Sequence, residues 1–568
     1  MKKKILACVL SVIMVLSLVA CNKEGAETNV TSDNSSSSSQ NQVVADNNGT
    51  SETVGELVDG KFADTRHITV EVYDRENDGG TDPTDNMYTD YIKKGMLDTY
   101  NVEVEFAAVP RWTEVDQINN LLAAGDAPDI CLTYDYSTIL AYAAMGGVVD
   151  LSEYVDKYKS VLPNLWNWLG DENIYYDKDP VTGQLWAIEG KRANIRRINT
   201  FVREDWVKKL GMSLPTTEAE FESMLIAFRD NTDVLLGAEA DHMVPFAISY
   251  DIGWRAANLF DSYLDPAMTD KEFYINGFDD RKFTENGTKE AVRVLNKWYN
   301  EGLIWKDFAL YGSGDSTEDD MVKSGYVGAF IHGWDYPYQT GAAINTTLKS
   351  IAGEEANFVA IDCFKNSNGD YAKYSYSSAG DRKIFFPTTN DEPLASLLYL
   401  DWISTPEHIE YLQIGDEGHT HTVLNSGAIA VIAAEAPYIQ NSGQNIDLTI
   451  TCNGLQLSSK DLTLKSMANN YAGIDMDIVI NAMEVALNDS ILPKAVNVGT
   501  IEAEVGMGNS LSEKRDIVFD NAVVAPVSEF DNVWDEGMKD YMSVGGQAIK
   551  DERTEKWEAT FGSAEMIP

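Results

Sequence analysis

Four short stretches place an aromatic ring directly beside a charged group: Tyr73-Asp74, Tyr134-Asp135, Trp254-Arg255 and Trp334-Asp335-Tyr336. The face of an indole or phenol covers apolar C–H surface, while a carboxylate next to it accepts two hydrogen bonds at once. Such pairs are equipped to hold a polar molecule rather than to break one of its bonds. No nucleophile elbow, zinc motif or phosphate loop accompanies them. Acid–base hydrolysis needs only two carboxylates at a set separation, and 90 acidic residues guarantee such pairs without singling one out. His419 and His421 have the spacing of a metal pair, but no third ligand is near them in the sequence, and they read as solvated loop histidines. No catalytic residue, metal or cofactor is expected.

The elements that position these residues follow from hydrophobic periodicity. Ile68, Val70 and Val72 alternate with Thr69 and Glu71 and predict a first strand. A helix over Met87 to Tyr100 leads to a second alternating strand through Val102, Val104 and Phe106. A helix through Leu121 and Leu122 leads to a third strand over Asp129 to Tyr134, in which Cys131 is a small buried hydrophobe. Strands alternating with helices make βαβ units, and therefore an α/β fold with a mainly parallel sheet. Ligands of such sheets sit beyond the carboxyl ends of the strands, which nominates Tyr73, Asp74 and Arg75 after the first strand and Tyr134, Asp135 and Tyr136 after the third.

Farther on, Thr217 and Glu220 form a capping box before a helix that buries Phe221, Met224, Leu225 and Phe228. A second helix from Thr284 turns Ala291, Val294, Leu295 and Trp298 inward and ends at Gly302. The apolar run before Trp334 is a buried strand that delivers Trp334, Asp335 and Tyr336 to its end. Trp254 opens a helix. Pro393 to Ser404 is helical, Thr405-Pro406 opens another helix, and the last clear helix surrounds Trp534, Met538 and Tyr541.

The N-terminus fixes an address. Lys2, Lys3 and Lys4 precede an uncharged run from Ile5 to Ala20, too short to span a bilayer and followed by polar sequence, which is the pattern of a secretory signal peptide. Leu18-Val19-Ala20-Cys21 resembles the bacterial lipobox, so Cys21 is expected to carry a diacylglyceryl group and to begin the mature chain. Residues 22–59, rich in Ser, Asn, Thr and Gly, bury too little apolar surface to order themselves and form a tether with a reach of roughly 35 Å. The formal charge is −46; the signal removes three lysines and no acid, leaving −49, which repels nucleic acid and anionic membrane surfaces. Cys131, Cys363 and Cys452 are the remaining thiols, too few and too scattered for a disulfide framework, although Cys363 and Cys452 could pair.

Several pieces occur in an order that resembles the family 1 extracellular solute-binding lipoproteins of sugar-importing ABC transporters, in particular the long oligosaccharide-binding branch. They are the lipobox at Cys21, Gly183-Gln184-Leu185-Trp186-Ala187, Arg203-Glu204-Asp205-Trp206 through Gly211 to Pro215-Thr216-Thr217, Trp298-Tyr299-Asn300-Glu301-Gly302-Leu303-Ile304, and Gly415-Asp416-Glu417-Gly418-His419. One departure is plain. Many relatives carry a calcium-loop-like run after the Thr217-type helix, whereas Val234-Leu235-Leu236 interrupts the stretch Asp230 to Pro245 here and removes oxygens that calcium needs.

The resemblance implies a two-lobed, hinge-linked periplasmic-binding-protein-like (type II) fold with a ligand cleft between the lobes. The expected division is 1–20 signal peptide, 21–59 lipidated cysteine and tether, 60–198 with about 382–430 as one lobe, and about 199–381 with 431–568 as the other. The chain would cross near Asn199 to Arg203 and return near Arg382 to Phe386. It also implies a carbohydrate ligand, ABC permease partners and a monomer held to the outer face of the cytoplasmic membrane only by the lipid on Cys21. Trp334 resembles a cleft tryptophan of such proteins; Asp381 and Arg382 fall at the return crossing, where hydroxyl binding and an interlobe ion pair are equally open; Glu417 belongs to the Gly-Asp-Glu-Gly-His run. A lipid-anchored glycan-active enzyme and a peptide-binding lipoprotein of the same fold remain open as alternatives.

Overall fold

The alternation at Ile68, Val70 and Val72 becomes the strand Arg66–Asp74 in a computed structural model of the chain. The structure describes residues 53–567 apart from 55, 76–80, 250, 280, 312–315, 340–342, 440–446, 472, 495 and 505–506; the signal peptide, Cys21 and most of the expected tether lie outside these residues. The strand pairs in parallel with Val102–Pro110 through the intervening helix Met87–Tyr100. That helix starts where Asn86 accepts from the amides of Tyr88 and Thr89, and stops where Asn101 turns left-handed at φ 62°, a conformation asparagine tolerates. A parallel bridge from Val70 to Ile130 adds Cys131–Thr133 on the other side. Lys383–Phe385 then pairs antiparallel with Cys131–Thr133 and with Ile188–Glu189.

This sheet is covered on both faces, so Glu71, on the side opposite Ile68, Val70 and Val72, is enclosed as well. Its side chain is wholly buried, accepts from the amide of Leu132 at 2.8 Å, and is pushed far up in pKa by burial. The helix Pro393–Ile403 is buried from Leu394 to Ile403 and packs against the sheet as an internal helix. Leu57 also enters this core at 2% exposed, between the short strands Thr53–Val54 and Lys61–Phe62, so ordered chain begins before the expected tether boundary at residue 59.

A second sheet has the order Val244–Ala247, Val327–Gly333, Ile198–Arg203, Phe358–Ile361, the first pair parallel and the others antiparallel. Ile198–Arg203 is buried at every position, as a central strand must be. One face carries Phe221, Met224, Leu225 and Phe228 of the helix Glu218–Asp230, together with the helices Thr288–Asn300, Gly508–Val524 and Phe530–Tyr541. The other face carries the helices Ile344–Ala352 and Met476–Val485. The Thr217 side chain accepts from the Glu220 amide as expected of a cap, but the Glu220 carboxylate accepts in return from the amide of Thr216 rather than from that of Thr217. The helix expected from Thr284 begins at Thr288, burying Val292 fully and Val294 only in part. Beyond Tyr541 a further helix, Gln547–Phe561, was not expected. Val234-Leu235-Leu236 is helical, with Leu235 against the core, and among the described residues no three His, Cys, Asp or Glu gather as metal ligands.

Core membership changes at three places. Ile188 belongs to the first core and Ile198 to the second; Phe364 to the second and Ile384 to the first; Ile450 to the first, Leu457 to a small cluster with Ile414 and Ile429, and Ala468 to the second half. The passages therefore lie just outside the strands expected to cross, because the apolar runs at 199–203 and 383–386 are central sheet strands while the polar residues beside them make the connection. Lys191–Arg192 pairs in parallel with Cys452–Asn453, and Arg192 donates to the carbonyl of Ser378 at 2.9 Å. Cys131, Cys363 and Cys452 are all buried free thiols, so the open question of a Cys363–Cys452 bond is answered in the negative. Among the described residues no helix is long and apolar enough to cross a membrane.

Candidate functional site

A cavity of about 480 Å³ opens beside the passages, lined by Arg197, Trp254, Arg281, Lys282, Tyr374 and Tyr376 among others. Its indole is Trp254, and local sequence explains how that ring is held. Asp251 sits at φ 54° and caps the short helix Ile252–Arg255 by accepting from the amide of Trp254 at 3.2 Å. The same carboxylate takes the fork of Arg281, with Nε and Nη2 both at 2.7 Å. Gly253 lets the Arg281 stem lie close, since a β-carbon there would stand 2.5 Å from the Arg281 Cβ. The indole is thereby flanked by two guanidiniums, Arg197 at 5.3 Å and Arg281 at 5.4 Å from the ring centre.

Phe273, Tyr374 and Tyr376 add further aromatic lining. Tyr374 stacks on Phe273 at 5.1 Å and carries the Lys282 ammonium over its face at 3.4 Å. Lys282 bonds Asp261, whose other oxygen accepts from the Tyr374 amide at 2.8 Å. Burial pushes the Lys282 pKa down to about 8 against the pull of Asp261. Tyr376 lies under Arg192 at 4.7 Å, and Arg192 pairs with Asp381 at 3.3 Å.

Asp381 and Arg382 tie the passages together. Asn453 donates to both Asp381 oxygens at 3.0 and 2.8 Å; Arg382 donates to the carbonyls of Thr449 and Cys452 and meets Asp447 at 3.5 Å. Asp447 also takes Arg75. Burial raises the Asp447 pKa, and Arg75 and Arg382 work against that rise. Asp381 and Arg382 are at most 1% exposed, so their hydrogen bonds are spent within the chain.

At the carboxyl ends of the first sheet, Tyr73 and Tyr134 stack at 6.4 Å, and Arg111 lies over both, at 5.1 and 4.4 Å. Tyr73 is wholly buried and Tyr134 half-buried. Asp74 is half-buried, and Asp135 accepts from Thr138 at 2.9 Å. Beside them Trp112 stands 76% exposed, its ring 5.4 Å from the Arg111 guanidinium.

The Trp334 ring turns into the second half. It is 6% exposed, edge-on to Tyr471 at 6.1 Å with Arg196 at 5.8 Å over its face, although its amide donates to the carbonyl of Arg197 at 3.1 Å. Asp335 accepts from the Tyr471 hydroxyl at 2.6 Å, and Tyr336 stacks on His332 at 3.4 Å. Glu417 is exposed on a separate groove of about 490 Å³ with Tyr411, Asp416 and His421, sharing no residue with the Trp254 cavity. His419 stacks on Tyr438 while His421 is buried against the carbonyl of Ile414. Of the residues expected from sequence, the cavity thus contains Trp254 itself and Asp381 one contact removed. Arg197, Arg281, Tyr374, Tyr376, Arg111 and Trp112 were not foreseen. One signal was available: Lys191, Arg192, Arg196 and Arg197 crowd four cations into seven residues of a strongly acidic chain.

No family model matches the chain. Lipoprotein LipO of Bacillus subtilis is 25% identical over 283 residues, 49% of this chain and 52% of that protein. The fructooligosaccharide ABC transporter substrate-binding protein FusA of Streptococcus pneumoniae is 24% identical over 245 residues, 40% of this chain and 43% of that one. The chain spans about half the length of the curated relatives it matches. Among solved structures, the HMO-binding, ABC-transporter-associated solute-binding protein of Bifidobacterium longum infantis superposes with a TM-score of 0.59 at 16% identity, over 88% of this chain and all of that one. The chain has the two-lobed α/β fold of the solute-binding proteins.

Proposed function

We propose that the chain is a binding protein for an oligosaccharide, which it takes up in the cavity at Trp254 and delivers to the permease of an ABC importer. The observation that carries this reading is Trp254, flanked by two guanidiniums and lining, together with Tyr374 and Tyr376, a cavity of about 480 Å³. Flat apolar faces ringed by hydrogen-bonding groups match a pyranose, which is apolar on its faces and polar at its rim. Trp112 and Tyr134, at the strand ends of the first half, are the aromatic surface that would meet the ligand's other side when the halves close about the passages. Closure is then favoured only with the cleft filled.

The chain acts without catalysis in this reading. Asp251, Asp261 and Asp279 around the cavity each bond an arginine or lysine of the chain itself, whereas glycoside hydrolysis needs a pair of carboxyl groups free to flank the scissile bond. The fructooligosaccharide specificity named for FusA and the ABC association named for the Bifidobacterium protein favour the same reading. Anchorage on the outer face of the cytoplasmic membrane rests on the lipobox at Cys21 and on the lipoprotein name of LipO. Calorimetric titration of the mature chain with an oligosaccharide panel, with product analysis in parallel, tests the proposal. Micromolar or tighter binding without turnover is expected; cleavage products, or binding to peptides alone, would overturn it.

A further inference from the structure

We propose that the sugar seated on Trp254 bears an anionic group, a carboxylate or a sulfate ester, and that Arg197 is the residue that reads it; this rests on the oligosaccharide reading above. Around the cavity every other cation has its own carboxylate. Arg281 forks onto Asp251, Lys282 bonds Asp261, Arg192 pairs with Asp381, and Arg515 holds both oxygens of Asp279 at 3.1 Å. Arg197 is the surplus charge. Its nearest carboxylate is Asp261, 3.8 Å away and already bonded to Lys282 and to the Tyr374 amide. Among the described residues its guanidinium makes no hydrogen bond, and it lies 10% exposed over the face of Trp254 on the cavity wall.

A guanidinium removed from most of its water, whose nearby carboxylate is shared with Lys282 and hydrogen-bonded elsewhere, is an unfavourable arrangement that an incoming anion relieves. Its planar fork of five N–H donors meets two oxygens of a carboxylate or sulfate at once, and bonds to a charged acceptor are roughly twice as strong as bonds to a hydroxyl. The formal charge of −46 over the whole chain does not oppose this at physiological salt. Screening acts over about 8 Å there, so an anion on Trp254 is governed by Arg197 rather than by the distant surface acids.

The test titrates the mature chain at 0.15 M salt with oligogalacturonate and its methyl ester, equal in length and linkage, and with sulfated and unsulfated galactan of that length. The acid, or the sulfated sugar, is expected to bind at least tenfold tighter than its uncharged partner, and whichever pair separates identifies the anion. Arg197→Gln is expected to shrink that ratio to near one, and Arg197→Lys to restore part of it. Should the variants fail to fold, the wild-type ratios still decide. Binding retained with ratios near one in both pairs overturns this inference and leaves the oligosaccharide reading intact; no binding to any saccharide overturns both.

Discussion

Replacing Trp254 with alanine removes the indole that lines the cavity, and the structure sets the size of the loss. A fully buried indole covers roughly 150–250 Å², so a ligand lying on one face covers about half of that. At about 25 cal/mol per Å² this amounts to about 2–3 kcal/mol, or an affinity loss of about 25- to 200-fold. The rest of the site survives the change. Asp251 still accepts from the backbone amide at position 254 and still holds Arg281, so the helix start and the flanking charges keep their places. Trp254 is only partly buried against the second core, and the variant is expected to stay folded by far-ultraviolet dichroism. Trp254→Phe retains a smaller ring and is expected to fall between wild type and alanine. Calorimetry with the best ligand of the panel gives the number. A folded Trp254→Ala protein that binds within threefold of wild type would refute the assignment of this cavity as the ligand site.

Trp334→Ala is expected to act mainly on stability, because its ring is 6% exposed between Tyr471 and Arg196; urea unfolding should show a loss of about 3–5 kcal/mol, and an unchanged midpoint would return Trp334 to the ligand site. Glu285 is 4% exposed with both carboxylate oxygens unpartnered among the described residues, and burial pushes its pKa up to about 8 against Lys282 and Lys550. Since the folded value lies above the unfolded one, its contribution to stability is full below pH of about 4.3 and is lost as pH rises through about 8, at no more than about 1.4 kcal/mol per pH unit. Glu285→Gln should flatten that slope between pH 5 and 8 in urea titrations, and an equal slope in both proteins would discard the assignment. Cys131, Cys363 and Cys452 are buried thiols with raised pKa values; they should react with Ellman's reagent only after denaturation, and rapid reaction of the native protein would contradict their burial.

Much of the first sheet was legible because its signals are local. Met87–Tyr100 follows from Asn86 and a 3.6-residue apolar period, and the alternating residues from Ile68 to Val72 admit one strand. Where tertiary contacts decide, the sequence misleads. The helix before Trp298 starts four residues late because Gly287, at φ 104°, packs its backbone against Tyr263, where a β-carbon would stand 2.1 Å from the carbonyl oxygen. Gln547–Phe561 escaped notice because it buries only Ile549 and Trp557 along a charged surface. The cavity was legible at Trp254 alone. Its other walls come from residues near 197, 281 and 375, each an ordinary arginine or tyrosine until the chain brings them together. Strand-end reasoning placed Trp334 one backbone hydrogen bond from Arg197 but carried no information on which way its ring turns.

The interleaving of passages has a consequence for the order in which the molecule can be made. The first core draws on side chains from Leu57 to Ile450, and the strand in the middle of its antiparallel part, Lys383–Phe385, is synthesised long after its neighbours Cys131–Thr133 and Ile188–Glu189. The second core waits longer still, for Phe519, Phe530 and Trp534. A nascent chain emerging N-terminus first therefore holds unpaired strand edges through most of its synthesis, since the contacts that close each half are far apart in sequence. It is a chain whose folding is postponed by its own connectivity, and a polypeptide in that state is the form that chaperones engage and that an export channel can thread.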